Sequence, residues 1–307
     1  MNKQNISERL NYARTSLIGL SVGDAFGQTF FGEEEKVLDR ISKRELRESE
    51  WYFTDDTVMG IAVYKILEEY GEIHQSELAK VFADNYSKDW HRGYGGTAHD
   101  ILQAIGAGED WRNVSPKAFA GIGSMGNGAA MRVAPIGAFY YDNLSKIKEQ
   151  ARLSAEVTHF NEEGIAGAVA IALAAGIILE SKIKSNILSA TEIIEKIFYE
   201  TPESDTKYAI RKALQVSKSS NIDFVISVLG NGSRIIAQDT VPLAIWCIAH
   251  YKDNYEEALW KTVSALGDRD TTCAIVGSVV ALNIGIEGIP SYWMKSTESF
   301  ESSEFWY

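Results

Sequence analysis

The chain has 307 residues, 45% of them hydrophobic and 23% charged, an ordinary globular composition with enough length for one large core or two modest ones. Against 42 Asp and Glu stand 30 Lys and Arg, a net charge of −12 without a cationic cluster, which argues against a nucleic-acid partner held through its phosphates. Cys247 and Cys273 both sit inside apolar runs and read as small buried hydrophobes, not a disulfide, so a reducing, cytoplasmic compartment is expected.

In chain order, Met1 to Glu8 is polar and leads into an amphipathic pattern, so no signal peptide is expected. Leu10, Ala13, Leu17 and Leu20 follow helical spacing, and the helix is expected to stop near Gly23-Asp24-Ala25-Phe26-Gly27. Phe30 to Ser49 reads as charged and irregular, with Glu33, Glu34 and Glu35 on a solvated face. Thr54 is the expected N-cap of a helix carrying Val58, Ile61, Ile66 and Leu67. Ser76 to Trp90 is amphipathic through Leu78, Val81, Phe82 and Tyr86, the stretch His91 to Gly96 is too rich in glycine to be helical, and Thr97 to Ile105 resumes a helix.

Gly121 to Arg132 is the most glycine-dense segment and can offer backbone N–H groups to phosphate. It lacks the Gly-Lys-Ser/Thr of a Walker loop and the preceding strand of a dinucleotide fingerprint. Helical spacing returns over Ile147 to Val157, Gly164 to Leu179, Ala190 to Tyr199 and Asp205 to Val216. The uncharged run from Gly164 to Leu179 is 16 residues long, short of the roughly 20 that span a bilayer, and reads as a buried core helix with no membrane partner. Leu229-Gly230-Asn231-Gly232 is a break, Pro242 is expected in the first turn of a helix running to His250, and Tyr255 to Leu266 forms the next helix. Ser291 to Tyr307 reads as an irregular tail. Period-two alternation is nowhere sustained and no linker or repeat divides the chain, so the expectation is one all-α domain over 1–307.

Two stretches carry the chemistry. Gly267-Asp268-Arg269-Asp270-Thr271-Thr272 heads an apolar run from Ala274 to Ile284, and Thr54-Asp55-Asp56-Thr57 repeats the pattern of hydroxyl and paired acids before a helix. A helix start holds one capping Asp comfortably, but a second acid at the same end needs another cause. Were the four carboxylates to converge at about 5 Å, each pair would repel by roughly 3 kcal/mol at an effective dielectric near 20, and bound cations would relieve this. Asp and Thr oxygens are hard ligands suited to Mg²⁺, Mn²⁺ or Ca²⁺. The five histidines show no zinc pattern, no nucleophile elbow occurs, and the cysteines lack a His neighbour in sequence. The chemistry expected is hydrolysis at a sugar or phosphoryl centre, with an acid of the cluster as general base.

Taken together these stretches resemble the ADP-ribosylglycohydrolase family, which includes dinitrogenase reductase-activating glycohydrolase and the ADP-ribosylarginine hydrolases. The resemblance runs from Gly19-Leu20-Ser21-Val22-Gly23-Asp24-Ala25-Phe26-Gly27 to Gly288-Ile289-Pro290-Ser291-Tyr292-Trp293, through Thr54-Asp55-Asp56-Thr57, Gly126 to Arg132, Thr158-His159 and Gly267 to Thr271, in the family's order. It implies a compact single-domain helical fold with a central binuclear cleft holding two Mg²⁺, or Mn²⁺, through Thr54, Asp55, Asp56, Asp268, Asp270 and Thr271. Asp56 and Asp55 are the implied catalytic acids. Gly126, Asn127, Gly128, Met131, His159, Tyr94 and Gly95 are the implied substrate contacts. Where many members carry a Glu seven residues after the Asp of Gly-Asp-Ala this chain has Phe31, and where others carry one four residues after it, Gln28. Glu33, Glu34 or Glu35 replaces that acid, or an Asp of the cluster, Asp56 foremost, is the base.

The implied activity is Mg²⁺-dependent removal of ADP-ribose from a modified protein, with arginine the expected linkage and serine-, base- or metabolite-linked ADP-ribose as alternatives. A second reading, raised by Phe31 and Gln28, is a protein that binds ADP-ribosylated targets or an ADP-ribosyltransferase as an immunity or regulatory factor. A structural role is the least favoured, because retained acids would then be unnecessary. Arg269 is expected to turn away from the cations, which it would otherwise oppose.

Overall fold

The core is carried by α1 (Lys3–Gln28), α2 (Asp55–Tyr70), α3 (Glu162–Ile183), α4 (Ala237–Tyr251) and α5 (Arg269–Ile284), with shorter helices packed around them. The structure is a computed structural model and describes residues 3–306; Met1 and Asn2, at the head of the polar start, and Tyr307, at the end of the tail, lie outside it. Among the described residues there is no strand, only two isolated bridges, Trp51 with Thr297 and Gly126 with Ile236. The expected all-α architecture is thus found, and one continuous hydrophobic core joins residues from every part of the chain.

The pairing of α1 with α5 sets the frame. Far from stopping near Gly23, α1 continues to Gln28, because Gly19, Gly23 and Gly27 share one face and let the two backbones touch. A Cβ at Gly23 would lie 2.2 Å from the Cys273 carbonyl oxygen, and one at Gly27 would lie 2.2 Å from that of Arg269. Glycine inside a helix costs about 1 kcal/mol of backbone entropy, and here close packing offsets it. The C-terminal part of α1 is therefore held beside the N-terminus of α5, where Asp268 and Asp270 stand.

Other departures have local causes. Residues 34–43 form a helix, Glu34–Lys43, whose first turn carries Glu34 and Glu35 and whose last turn carries Arg40 and Lys43, so both ends complement the helix dipole. Only Val37 of it is buried, which is why its periodicity is faint in sequence. α3 starts earlier and ends later than the apolar run suggests, capped by Asn161, whose side chain accepts from the Glu163 N–H at 2.9 Å. At 22 residues it is long and apolar enough to cross a bilayer, but 83% of its most apolar window is buried inside the fold. Pro242 lies within α4 and not in its first turn, since α4 begins at Ala237. The tail is ordered: Ser291–Ser296 is helical, and Trp293 stacks on Phe26 of α1 at 4.3 Å and 11°.

Gly23→Ala is expected to destabilise the protein by at least about 2 kcal/mol through overpacking, while Gly96→Ala, whose Cβ would meet nothing within 4 Å, stays near neutral. Paired denaturant titrations of the two variants check this.

Candidate active site

α2 and α5 present their N-termini to a common cleft of about 540 Å³. Asp55, Asp56, Asp268, Asp270 and Thr271 line one side of it, and Gly126, Asn127, Gly128, Met131 and His159 line another. The two acid motifs, more than two hundred residues apart in sequence, are linked directly: the Thr271 hydroxyl donates to Asp56 Oδ2 at 3.4 Å. Gly95 also lines the cleft, whereas Tyr94 is buried behind the wall, its ring edge-on to Tyr86 at 5.1 Å.

The turn before α2 is held from below by a residue that the motif reading passes over. Asp24 of α1 is fully buried and accepts four hydrogen bonds, from the Thr54 N–H (2.9 Å) and hydroxyl (2.9 Å) and from the Thr57 N–H (3.1 Å) and hydroxyl (2.6 Å). Its signal in sequence is the one acid in the otherwise uncharged run from Thr15 to Thr29, directly after Gly23 and three residues before Gly27. Thr54 itself does not line the cleft. Its Oγ1 sits 2.9 Å from Asp24 Oδ1 and 3.0 Å from Asp56 Oδ2, yet one hydroxyl has one proton to give.

That shortage runs through the whole cluster. Asp55, its N–H fixed on the Arg92 carbonyl at 2.7 Å, is pushed up to about 8 by burial and by the charges of Asp24 and Asp268. Asp56 and Asp270 are raised well above the usual carboxylate range, first by burial and then by neighbouring carboxylates. Asp268 is raised by burial, in part relieved by the Asn127 amide, which donates to its Oδ2 at 2.7 Å. Asp24 rises to about 6 through burial, against the pull of its four donors. Asp56 Oδ1 is buried with no hydrogen-bond partner. Four carboxylates with an orphaned oxygen and too few protons form a donor set suited to hard divalent cations. As they stand, no three acidic, His or Cys side chains among the described residues close on one point.

The cations nearby serve other ends. Arg269 turns its guanidinium onto the Phe31 ring, 5.0 Å from its centroid, and does not line the cleft. Glu33, Glu34 and Glu35 are exposed and also outside the cleft lining, Glu33 pairing with Lys36 at 2.7 Å. Arg132, fully buried, donates to the Ser154 carbonyl (2.8 Å), the Thr158 hydroxyl (2.9 Å) and the Gly128 carbonyl (3.2 Å). Thr158, already accepting from Arg132, can pass its own proton to His159 Nδ1 at 2.7 Å, which leaves Nε2 as the donor facing the glycine loop. Enclosure by protein and the nearby Arg132 charge hold His159 neutral, its pKa lowered to about 3. A Cβ at Gly126 or Gly128 would lie 3.1 Å from His159 Nε2, so glycine lets the loop approach the ring without displacing it.

The chain matches the model of the ADP-ribosylglycohydrolase family over residues 5–304. It belongs to that family. Among curated relatives it is 29% identical to "ADP-ribosylhydrolase ARH3" of Gallus gallus over 95% of this chain and 90% of that one, and 28% identical to the Homo sapiens protein of the same name over 96% and 91%. An uncharacterised protein of Archaeoglobus fulgidus is 30% identical over 95% and 93% of the two chains. A solved structure described as an "ADP-ribosylglycohydrolase-related protein complex" shares the fold at a TM-score of 0.65 and 22% identity, covering 95% of this chain and 94% of that one. This ADP-ribosylglycohydrolase is accordingly a hydrolase of glycosyl linkages to ADP-ribose.

Motif reasoning missed other parts of its cleft, among them Thr97, Ala98 and Ile101 on one wall, Phe119 and Ile122 at the mouth, and Arg234, Ile235 and Ile236 beside the glycine loop. These positions carry no pattern of their own, and only the folding of three loops together makes them neighbours.

Carboxyls raised on folding bind more protons in the folded than in the unfolded chain, so stability falls as pH rises from their unfolded value of 3.8 through the folded values of about 6 for Asp24 and about 8 for Asp55. Without divalent cations the melting temperature is expected to drop between about pH 5 and pH 8, and saturating Mg²⁺ to restore most of the loss. A melting temperature that stays level across that range would contradict the shifts.

Proposed function

We propose that the protein removes mono-ADP-ribose from a modified protein by attack of water at the ribose carbon of the glycosidic bond, with Mg²⁺ as the cation and arginine as the acceptor side chain. The observation that carries this reading is the meeting of Asp55 and Asp56 with Asp268, Asp270 and Thr271 in one cleft, facing the Gly126–Gly128 loop and His159. Divalent cations held by Thr54, Asp55, Asp56, Asp268, Asp270 and Thr271, Mg²⁺ or in its place Mn²⁺, would supply Lewis acidity and grip the vicinal hydroxyls of the ribose.

The chain's own residues account for the proton. Asp56 Oδ1, which no protein group occupies, takes a proton from the attacking water. As the water oxygen bonds to the ribose carbon, the carbon–nitrogen bond breaks and its electron pair passes to the guanidinium nitrogen, so the acceptor leaves as neutral guanidine and then recovers the proton from Asp56. Such a leaving group brings its positive charge with it and needs no acid to assist departure. That fits a site with Phe31 in place of the family's acid and with a His159 that is neutral at any working pH.

Given arginine-, serine- and thymidine-linked ADP-ribose in parallel, the protein should release ADP-ribose from arginine in Mg²⁺ and cease to do so in EDTA. Asp56→Asn and Asp270→Asn are each expected to lower kcat by about 10³-fold. Release from serine but not arginine overturns the acceptor, and turnover that survives EDTA overturns the cation.

A further inference from the structure

Among the described residues that line the cleft, Arg234 is the only Arg or Lys. The segment on which it stands is built into the site. Ile235 O accepts from the Asn127 N–H at 3.3 Å, the Ala237 N–H donates to Met125 O at 3.0 Å, and Ile236 pairs antiparallel with Gly126. The N–H of Arg234 itself donates to Asp239 Oδ2 at 3.0 Å, and Asp239 is buried against the turn at Gly230 and Gly232. Ile235 is held at φ 56°, a left-handed conformation that a β-branched residue adopts only where surrounding bonds enforce it.

The side chain is treated differently. Arg234 is exposed, and its guanidinium has no hydrogen-bond or ion-pair partner among the described residues. The backbone is thus fixed at every neighbouring position while the charge is left free, at the wall of a cleft whose other side carries Asp55, Asp56, Asp268 and Asp270. A ligand that fills this cleft meets oxygen donors at one end and a single cation beside the glycine loop. Guanidinium pairs bidentately with phosphate oxygens, which a backbone N–H loop alone does not match in charge.

We propose that Arg234 is a specificity-determining residue that pairs with the diphosphate of the ADP-ribosyl group. The assignment rests on the ADP-ribosyl reading of the cleft and adds the residue that selects the diphosphate over a neutral nucleoside.

Calorimetric titration of ADP-ribose, ADP and adenosine in Mg²⁺ into wild type, Arg234→Ala and Arg234→Lys tests it. ADP-ribose and ADP should each bind the alanine variant about tenfold more weakly, the loss of one charge-assisted pair. Adenosine should bind all three proteins alike, and the lysine variant should fall between the others for the two diphosphates. In hydrolysis the change should fall on KM, and the melting temperature should be unaltered. Equal weakening for adenosine and ADP-ribose, or no change for either diphosphate, overturns the assignment while leaving the enzyme reading in place. A wild type that fails to bind ADP-ribose at all overturns both.

Discussion

Everything in the site depends on two helices whose backbones touch. Gly19, Gly23 and Gly27 of α1 admit the carbonyls of α5 to distances that a single methyl group would block. That contact sets Asp24 directly beneath the turn leading into α2 and brings the Asp268 end of α5 beside it. The four hydrogen bonds on Asp24 then determine how Thr54 and Thr57 sit, and hence where Asp55 and Asp56 enter the cleft. Packing at the level of backbone atoms is in this way translated into the placement of four carboxylates.

The electrostatic consequence is a site that is unsatisfied by its own protein. Burial raises Asp55, Asp56, Asp268 and Asp270 together, repulsion between carboxylates adds to it at Asp55, Asp56 and Asp270, and the nearest cations relieve it only in part, since Arg132 is committed to Ser154, Thr158 and Gly128 and Arg269 lies on Phe31. Such an arrangement is costly for an apoprotein and is of the kind that persists when a ligand takes up the charge. The opposite wall is built to complementary ends, with Arg132 and Thr158 orienting a neutral His159 against a glycine loop that packs closely on its ring.

Much of this was legible in sequence, and for physical reasons. Paired acids at the head of an apolar helix are too many for a cap, so Thr54 to Asp56 and Asp268 to Thr271 announce themselves, and helical periodicity without any period-two stretch points to an all-α fold. Glycine was the main source of error. Read as helix-breaking, Gly23 and Gly27 hide the continuation of α1, because the packing that compensates them comes from α5, some 250 residues on. Asp24 is missed with them. The helix Glu34–Lys43 has too little buried surface to leave a periodic trace, and Arg234 stands in a turn whose conformation is imposed by the glycine loop. Contacts between distant segments are what single-sequence patterns do not carry.

The central claim is that the two acid motifs form one cation site. Titrating the protein with Mn²⁺ under electron paramagnetic resonance tests this most directly. The account predicts two magnetically coupled ions per chain, with either Asp56→Asn or Asp270→Asn disrupting the coupled pair. Ions that bind without coupling, or an Asp56→Asn variant that binds Mn²⁺ as the wild type does, would contradict it.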